Sequence, residues 1–164
     1  MLKKILTTET CAICRQCCRF ERYDIWEMPV FSLENLKIIL RADPDKQFIP
    51  KNDGFIYRAD TSGSPFDCPA LAENGCMLGD DKPFDCRIWP FRVMDIGGRR
   101  AITLSYLCEE MFSRSLDKLV EFLKSGIADE IFAYADEHPD IVKPYYEGYP
   151  VLVFRSMYNN QCET

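Results

Sequence analysis

Four cysteines fall within eight residues near the start of the chain, in the run Cys11-Ala-Ile-Cys14-Arg-Gln-Cys17-Cys18. A thiolate is a strong ligand for soft or borderline metals, and two thiols separated by two residues can turn onto one ion without straining the backbone. Four more cysteines follow downstream, at Cys68, Cys76, Cys86 and Cys108. The pattern predicts a chain organised around one or two all-cysteine metal sites.

The spacing of the first four cysteines bears on the number of metals. In a continuous helix Cys11, Cys14 and Cys18 would form one stripe, with Cys17 beside it. Adjacent residues point in different directions in a helix or a strand, so Cys17 and Cys18 are not expected to serve the same single ion equally well. This favours two metals or a cluster.

A disulfide scaffold is the competing interpretation of so many cysteines. The chain has nine, an odd number, which does not suit a fully paired framework. The N-terminal residues lack the apolar stretch of a secretory signal, so we expect the cytoplasm, where thiols stay reduced. Cys162, near the C-terminus, is interpreted as an ordinary small apolar residue and not as a ligand.

Length and charge limit the other classes of function. A chain of 164 residues is expected to form a single domain, with a metal-binding core at residues 11–112 and a mainly helical extension at residues 113–164. The net charge of -6 argues against a nucleic acid or an anionic membrane as partner. No apolar run approaches the roughly 18 residues of a membrane helix. An unidentified protein partner remains compatible with the sequence.

Local patterns indicate the elements around the cysteines. Ser32 can cap a helix that runs to about Arg41, residues 55–57 form a candidate strand, and residues 68–90 should be irregular. Two β-rich runs flank Gly97-Gly98, which is the clearest hairpin signal.

The last third of the chain has a helical pattern. Apolar residues repeat at helical spacing from Leu116 to Leu123, Gly126 suggests a break, and a second helix is expected at residues 127–137. An aromatic-rich segment, residues 145–154, closes the chain. The predicted fold class is α+β, a small domain with an irregular metal-stapled centre, a β-hairpin and a helical C-terminal extension.

The metal is either zinc or iron. Zinc would use four thiolates in each closed tetrahedral site, although histidine often shares zinc sites and His138 lies far from the cysteines. An all-sulfur inventory suits iron–sulfur clusters, and Cys68-Pro69 echoes the ferredoxin Cys-Pro at a longer spacing. We therefore favour an iron–sulfur cluster over zinc.

Basic residues recur near the cysteines. A site of four thiolates stays anionic after it binds a metal, and nearby guanidinium groups would stabilise it. Among Arg15, Arg19, Arg22, Arg87 and Arg92, we favour Arg87 for this role because it follows Cys86 directly. The same chain lacks the common hydrolase, zinc-protease, P-loop and dinucleotide-binding motifs, so no independent catalytic function is visible and catalytic residues are not assigned.

The cysteine motifs resemble a known family. Cys11-x-x-Cys14-x-x-Cys17-Cys18, Cys68-Pro69-x-Leu71, Gly75-Cys76 and Pro83-x-x-Cys86-Arg87, with a later Cys108, are similar to the YkgJ-like cysteine-cluster family, a C-x-x-C-x-x-C-C domain described as chelating zinc or iron. The resemblance covers residues 11 to 110. It implies that the metal ligands are Cys11, Cys14, Cys17, Cys18, Cys68, Cys76, Cys86 and Cys108. Lys82 stands where the family usually has arginine, a change that preserves the charge.

Three functions follow from these expectations. An iron–sulfur cluster would support electron transfer or redox sensing. Zinc would make the sites structural, and function would then lie in a binding surface such as residues 145–154. The domain is also similar to part of the flagellin lysine N-methylases, which implies methyl transfer from S-adenosylmethionine as a third alternative, although no glycine-rich loop for that cofactor is present.

Overall fold

The structure is a computed structural model that describes residues 2, 5–21, 28–52, 54–59 and 65–155. Contacts divide the chain into two compact units, unit 1 (Met1–Pro90 and Leu107–Met111) and unit 2 (Phe91–Tyr106 and Phe112–Thr164). Helices and several small, mostly antiparallel sheets together give an α+β fold, as expected. The boundaries of the single domain and its core stay a prediction.

Helix α1 (Thr8–Cys14) carries the first two cysteines of unit 1. The Thr7 hydroxyl caps its start by accepting from the Thr10 N–H at 3.2 Å. The helix ends because Arg15 adopts a left-handed conformation, with φ of 56°, and a 3₁₀ turn (Gln16–Cys18) follows. Residues 11–18 are therefore not one continuous helix, so Cys18 does not continue the face of α1 that carries Cys11 and Cys14.

Helix α2 (Leu33–Ala42) confirms the predicted helix. Ser32 and Asn35 form a reciprocal capping box, and the helix ends at Asp43. Asn35 is buried and donates from its side-chain amide to the Asp81 carbonyl at 2.8 Å. This bond ties the start of α2 to the segment that precedes Cys86.

Unit 1 contains three two-stranded antiparallel sheets, which pair β1 with β4, β2 with β3 and β5 with β6. The strands are β1 (Arg19–Phe20), β2 (Phe48–Lys51), β3 (Gly54–Tyr57), β4 (Phe66–Asp67), β5 (Leu71–Ala72) and β6 (Gly75–Cys76). A 3₁₀ turn (Gly79–Asp81) and helix α3 (Phe84–Ile88) come next. The prediction that residues 68–90 are irregular is thus wrong, because short paired strands and helical turns organise this segment. The candidate strand at residues 55–57 is confirmed within β3.

Unit 2 is built on a four-stranded sheet in the order β10-β8-β7-β9. Strands β7 (Phe91–Ile96) and β8 (Arg99–Leu104) form the predicted hairpin, and Gly97 and Gly98 occupy its turn with φ of 61° and 82°. Strand β9 (Lys143–Pro144) pairs parallel with β7, and β10 (Val151–Phe154) pairs antiparallel with β8. The closing aromatic segment therefore ends as an edge strand of this sheet.

Three further helices follow the hairpin. They are α4 (Glu109–Phe112), α5 (Leu116–Phe122) and α6 (Ala128–Glu137). Helices α5 and α6 are separated by a π turn (Leu123–Ile127) in which Gly126 has a φ of 109°, which confirms the expected break. In unit 2, α5 packs against β10 and α6 packs against β7. None of the helices in the described ranges has the length and apolar character needed to cross a membrane.

Candidate metal centre

Every cysteine that the structure describes lies in unit 1, and none of these forms a disulfide. The set is Cys11, Cys14, Cys17, Cys18, Cys68, Cys76, Cys86 and Cys108. Cys108 joins the others because the segment Leu107–Met111 returns to unit 1 after the hairpin of unit 2. Cys162 lies outside the described residues. All eight predicted ligands are thus in one compact unit, although they span almost a hundred residues of sequence.

Four of these cysteines border a small cavity of about 30 Å³. Cys11 and Cys14 are three residues apart on α1 and so lie on one face of it, and the turn at Arg15 brings Cys17 to the same cavity. Cys108 reaches it from the start of α4 and is 8% exposed. Residues distant in sequence therefore share this cavity.

Backbone contacts of short elements connect three of the other four cysteines, Cys18, Cys68 and Cys76. The Cys68 N–H donates to the Cys18 carbonyl at 2.7 Å, and the Leu71 N–H donates to the Cys68 carbonyl at 2.9 Å. Leu71 is the strand partner of Cys76 in the β5–β6 pair. Cys86 lies on α3. Burial is the largest cause that raises the pKa of Cys86, and smaller contributions come from the negative charges of Cys68, Asp85, Cys76 and Cys18.

Backbone groups also point at two of the sulfurs. Burial raises the pKa of Cys68 to about 12, and a hydrogen bond from the Ala70 backbone lowers the same pKa by a smaller amount. Burial likewise raises the pKa of Cys76, while hydrogen bonds from the backbone of Leu78 and Gly79 lower it. Backbone N–H groups directed at cysteine sulfur stabilise a thiolate, and such bonds tune metal–thiolate sites.

Cys17 and Cys18 form a close pair, with their sulfurs 4.0 Å apart. The hydrogen bond from the Cys17 thiol is the largest cause that lowers the pKa of Cys18 to about 7. The same bond raises the pKa of Cys17, because it holds the proton on that sulfur. Cys18 is therefore the thiol that is most easily deprotonated among those with a shifted pKa.

Lys82 is the basic residue that recurs beside the thiols. Burial is the largest cause for Cys11 and Cys76 and raises their pKa, and the hydrogen bond from Cys17 is the largest cause that lowers the pKa of Cys18. The charge of Lys82 makes a smaller contribution that lowers the pKa of all three thiols. Sequence reasoning noted Lys82 only as a replacement for arginine and gave it no part in the site. The signal that could have found it is its place four residues before Cys86 in the resembled motif.

The arginines proposed from the sequence to stabilise the site do not share one position relative to the cysteines. Arg15 is near enough to lower the pKa of Cys18, and its Nε donates to the Ala12 carbonyl at 2.7 Å. Arg19 pairs with Asp67 at 3.4 Å, and the guanidinium of Arg87 lies 5.2 Å from the centre of the Phe84 ring. Arg22 lies outside the described residues. The favoured role of Arg87 beside the cysteines stays a prediction.

Cysteine thiolates are suitable ligands for zinc or iron, but the thiols of this structure do not converge on a common point. Across the described ranges, no group of three or more histidine, cysteine, aspartate or glutamate residues is arranged to hold a metal ion. Zinc–sulfur bonds are about 2.3 Å long, so four ligands must converge closely. Metal binding would require the thiols to approach one another further.

The remaining candidates lie apart from the cysteines. A larger cavity of about 650 Å³ in unit 1 is bordered by charged residues, among them Asp43 and Lys46, which pair with each other at 2.7 Å. No cysteine borders it. His138 caps the end of α6 in unit 2, where its ring stacks on Tyr134 with 4.2 Å between ring centres.

Comparison of the chain with models of known protein families, with curated proteins and with solved structures gave no match. The resemblance to the YkgJ-like family therefore stays a prediction that depends on the quoted motifs.

Proposed function

We propose that this chain binds iron or zinc through the cysteine thiolates of unit 1. The observation that carries the proposal is the gathering of eight cysteines, distant in sequence, into one compact unit without a disulfide among them. Many thiols gathered in one unit are an oxidation hazard without a bound metal, because a thiolate is both a strong ligand and an easily oxidised group. A reducing compartment such as the cytoplasm suits this function.

The surroundings of the sulfurs support the same proposal. A protein that only buried its cysteines as apolar residues would have no use for charge beside them. Here Lys82 faces three of the thiols, and backbone N–H groups are directed at the sulfurs of Cys68 and Cys76. Burial is the larger effect and raises the pKa of Cys11, Cys68 and Cys76. Lys82 and the backbone N–H groups oppose burial and favour deprotonated sulfur, which is the form that binds metal.

Iron–sulfur and zinc lead to different roles. An iron–sulfur cluster would supply reversible one-electron chemistry, and the protein would then transfer electrons or sense redox state. Zinc would supply no redox chemistry and would hold unit 1 together. We favour an iron–sulfur cluster because all eight proposed ligands are cysteines, and iron–sulfur clusters are held by cysteine thiolates.

The deciding experiment is elemental analysis with acid-labile sulfide and an absorption spectrum, on protein purified without oxygen. Iron with matching sulfide and a broad visible band would establish a cluster, and zinc without sulfide would establish structural sites. The absence of metal, with every thiol open to titration, would contradict the proposal.

A pair of matched variants sharpens the result. Cys86→Ala should lower metal content and stability together, because ligation energy is folding energy in such sites. Cys162→Ala removes a cysteine that was not assigned as a ligand, and it should change neither quantity. Stoichiometric loss of metal from Cys162→Ala would show that the ligand assignment is wrong.

A further inference from the structure

We propose that the eight cysteines form two separate four-cysteine metal sites that do not follow sequence order. Site A comprises Cys11, Cys14, Cys17 and Cys108, and site B comprises Cys18, Cys68, Cys76 and Cys86. This inference depends on the proposed function, because it assumes that the thiols bind metal. It goes further by assigning each ligand to one of two sites.

Site A is defined by the cavity described above. Of the cysteines that the structure describes, the four of site A border it and the other four do not. Its volume of about 30 Å³ is enough to hold a group of the size of a water molecule. Burial raises the pKa of Cys11, and its thiol neighbours are Cys108 and Cys14 of site A and Cys18 of site B.

Site B begins from the backbone contacts of three of its members. Cys18 is held to Cys68 by the 2.7 Å bond from the Cys68 N–H to the Cys18 carbonyl, and the β5–β6 pairing brings Cys76 beside the same turn. The thiol neighbours of Cys86 are Cys68, Cys76 and Cys18. Cys17 of site A also has Cys86 as a neighbour. Cys86 does not border the cavity of site A, so we group it with these three.

The boundary between the two sites falls between Cys17 and Cys18. Cys17 borders the cavity of site A, whereas the backbone of Cys18 is bonded to Cys68 of site B. Their sulfurs are 4.0 Å apart, so the two sites would be close neighbours. Lys82 has thiol neighbours in both sites, Cys11 in site A and Cys18 and Cys76 in site B, so one cation faces both anionic centres.

The rival arrangement follows the order of the sequence. It would assign Cys11, Cys14, Cys17 and Cys18 to one site and the four later cysteines to the other. Two double variants that each remove two thiols separate the arrangements. Cys14→Ser with Cys108→Ser removes two ligands from site A alone, whereas Cys14→Ser with Cys18→Ser removes one ligand from each proposed site.

The probe is Co²⁺, added without oxygen to reduced, metal-free protein, because its absorption bands report tetrahedral coordination by four thiolates. We expect the wild-type protein to bind two equivalents with four-thiolate spectra. The variant with Cys14→Ser and Cys108→Ser should keep about half of the four-thiolate signal, because site B is intact. The variant with Cys14→Ser and Cys18→Ser should keep none. The opposite result for the two variants would overturn the proposal in favour of sequence order.

A measurement on the unaltered chain covers the case in which a variant does not fold. In protein loaded with ¹¹³Cd, proton–cadmium correlation spectra identify the cysteines bound to each ion. We expect two cadmium signals, one correlated with the four cysteines of site A and one with the four of site B. Any other grouping, or a cysteine shared by both ions, would overturn the assignment. Failure of wild-type protein to bind either ion through thiols would instead contradict the proposed function.

Discussion

The two units of this chain are held together in different ways. In unit 2, strands of six residues form the centre of a four-stranded sheet, and helices α5 and α6 pack on it. Unit 1 contains three separate pairs of strands, each of two to four residues, and the eight cysteines that the structure describes. A two-stranded pair has little stability by itself in water.

This difference indicates where each unit obtains its stability. Unit 2 has fully buried side chains on both strands of its hairpin, on α5 and in the π turn, namely Phe91, Met94, Ile102, Leu104, Leu119 and Leu123. Unit 1 also has an apolar cluster, but one of the proposed ligands, Cys68, belongs to it. We therefore expect metal to stabilise unit 1 and apolar packing to stabilise unit 2.

Metal removal should give the largest effect and the clearest separation of the units. Structural zinc sites contribute about 10–16 kcal/mol of binding free energy in small domains, so a chelator should unfold much of unit 1. Amide hydrogen exchange should rise in β2 and β3 and change little in β7 and β8. Restoring the metal should restore protection. Equal loss of protection in both units would contradict the comparison.

A substitution that leaves a cavity in the sheet of unit 2 should destabilise unit 2 and not unit 1. Ile102 is 0% exposed and is paired with Val93 on one side and Val153 on the other. Ile102→Ala should lower the free energy of unfolding of unit 2 by about 2–5 kcal/mol in urea titrations and leave metal content unchanged. The control is Val151→Ala, at a site 38% exposed on the edge strand β10, which should cost about 0.5 kcal/mol or less. A loss of metal from Ile102→Ala would show that the two units are not stabilised separately.

Alkaline pH should weaken unit 1 of the metal-free protein. Burial raises the pKa of Cys68 from 9.0 to about 12, so the folded chain keeps a proton that the unfolded chain loses. The stability from this group is fully present below pH 9 and is lost as pH rises toward 12, by about 1.4 kcal/mol per pH unit. Urea titrations at several pH values would measure the slope. The slope should decrease in Cys68→Ala; an unchanged slope would exclude Cys68 as its source.

The smallest effect should come from the charge beside the thiols. Lys82→Gln removes a cation that helps to lower the pKa of Cys18. In metal-free protein at neutral pH, alkylation of Cys18 should slow by roughly two- to fivefold, because less of the thiol is ionised. Mass spectrometry of the labelled peptide would measure this rate. The control is Lys37→Gln, on the exposed face of α2; the same slowing in both variants would argue against a local action of Lys82.

Elements that depend on local interactions were predictable from the sequence. Ser32 and Asn35 cap α2 with each other, and Gly97 and Gly98 supply the positive φ values of the hairpin turn. Gly126 marks the break between α5 and α6 for the same reason. The left-handed Arg15 and the parallel pairing of β9 with β7 were not predictable, since neither has a local sequence signal.

The candidate site divides in the same way. The sequence by itself determined which cysteines are candidates, because their density and spacing exceed what packing requires. It did not determine their grouping. The meeting of Cys108 with Cys11 and Cys14 depends on a segment that returns after a complete hairpin. The place of Cys18 beside Cys68, and of Lys82 beside both sets of thiols, depends on tertiary structure, because backbone bonds between distant segments decide which side chains become neighbours.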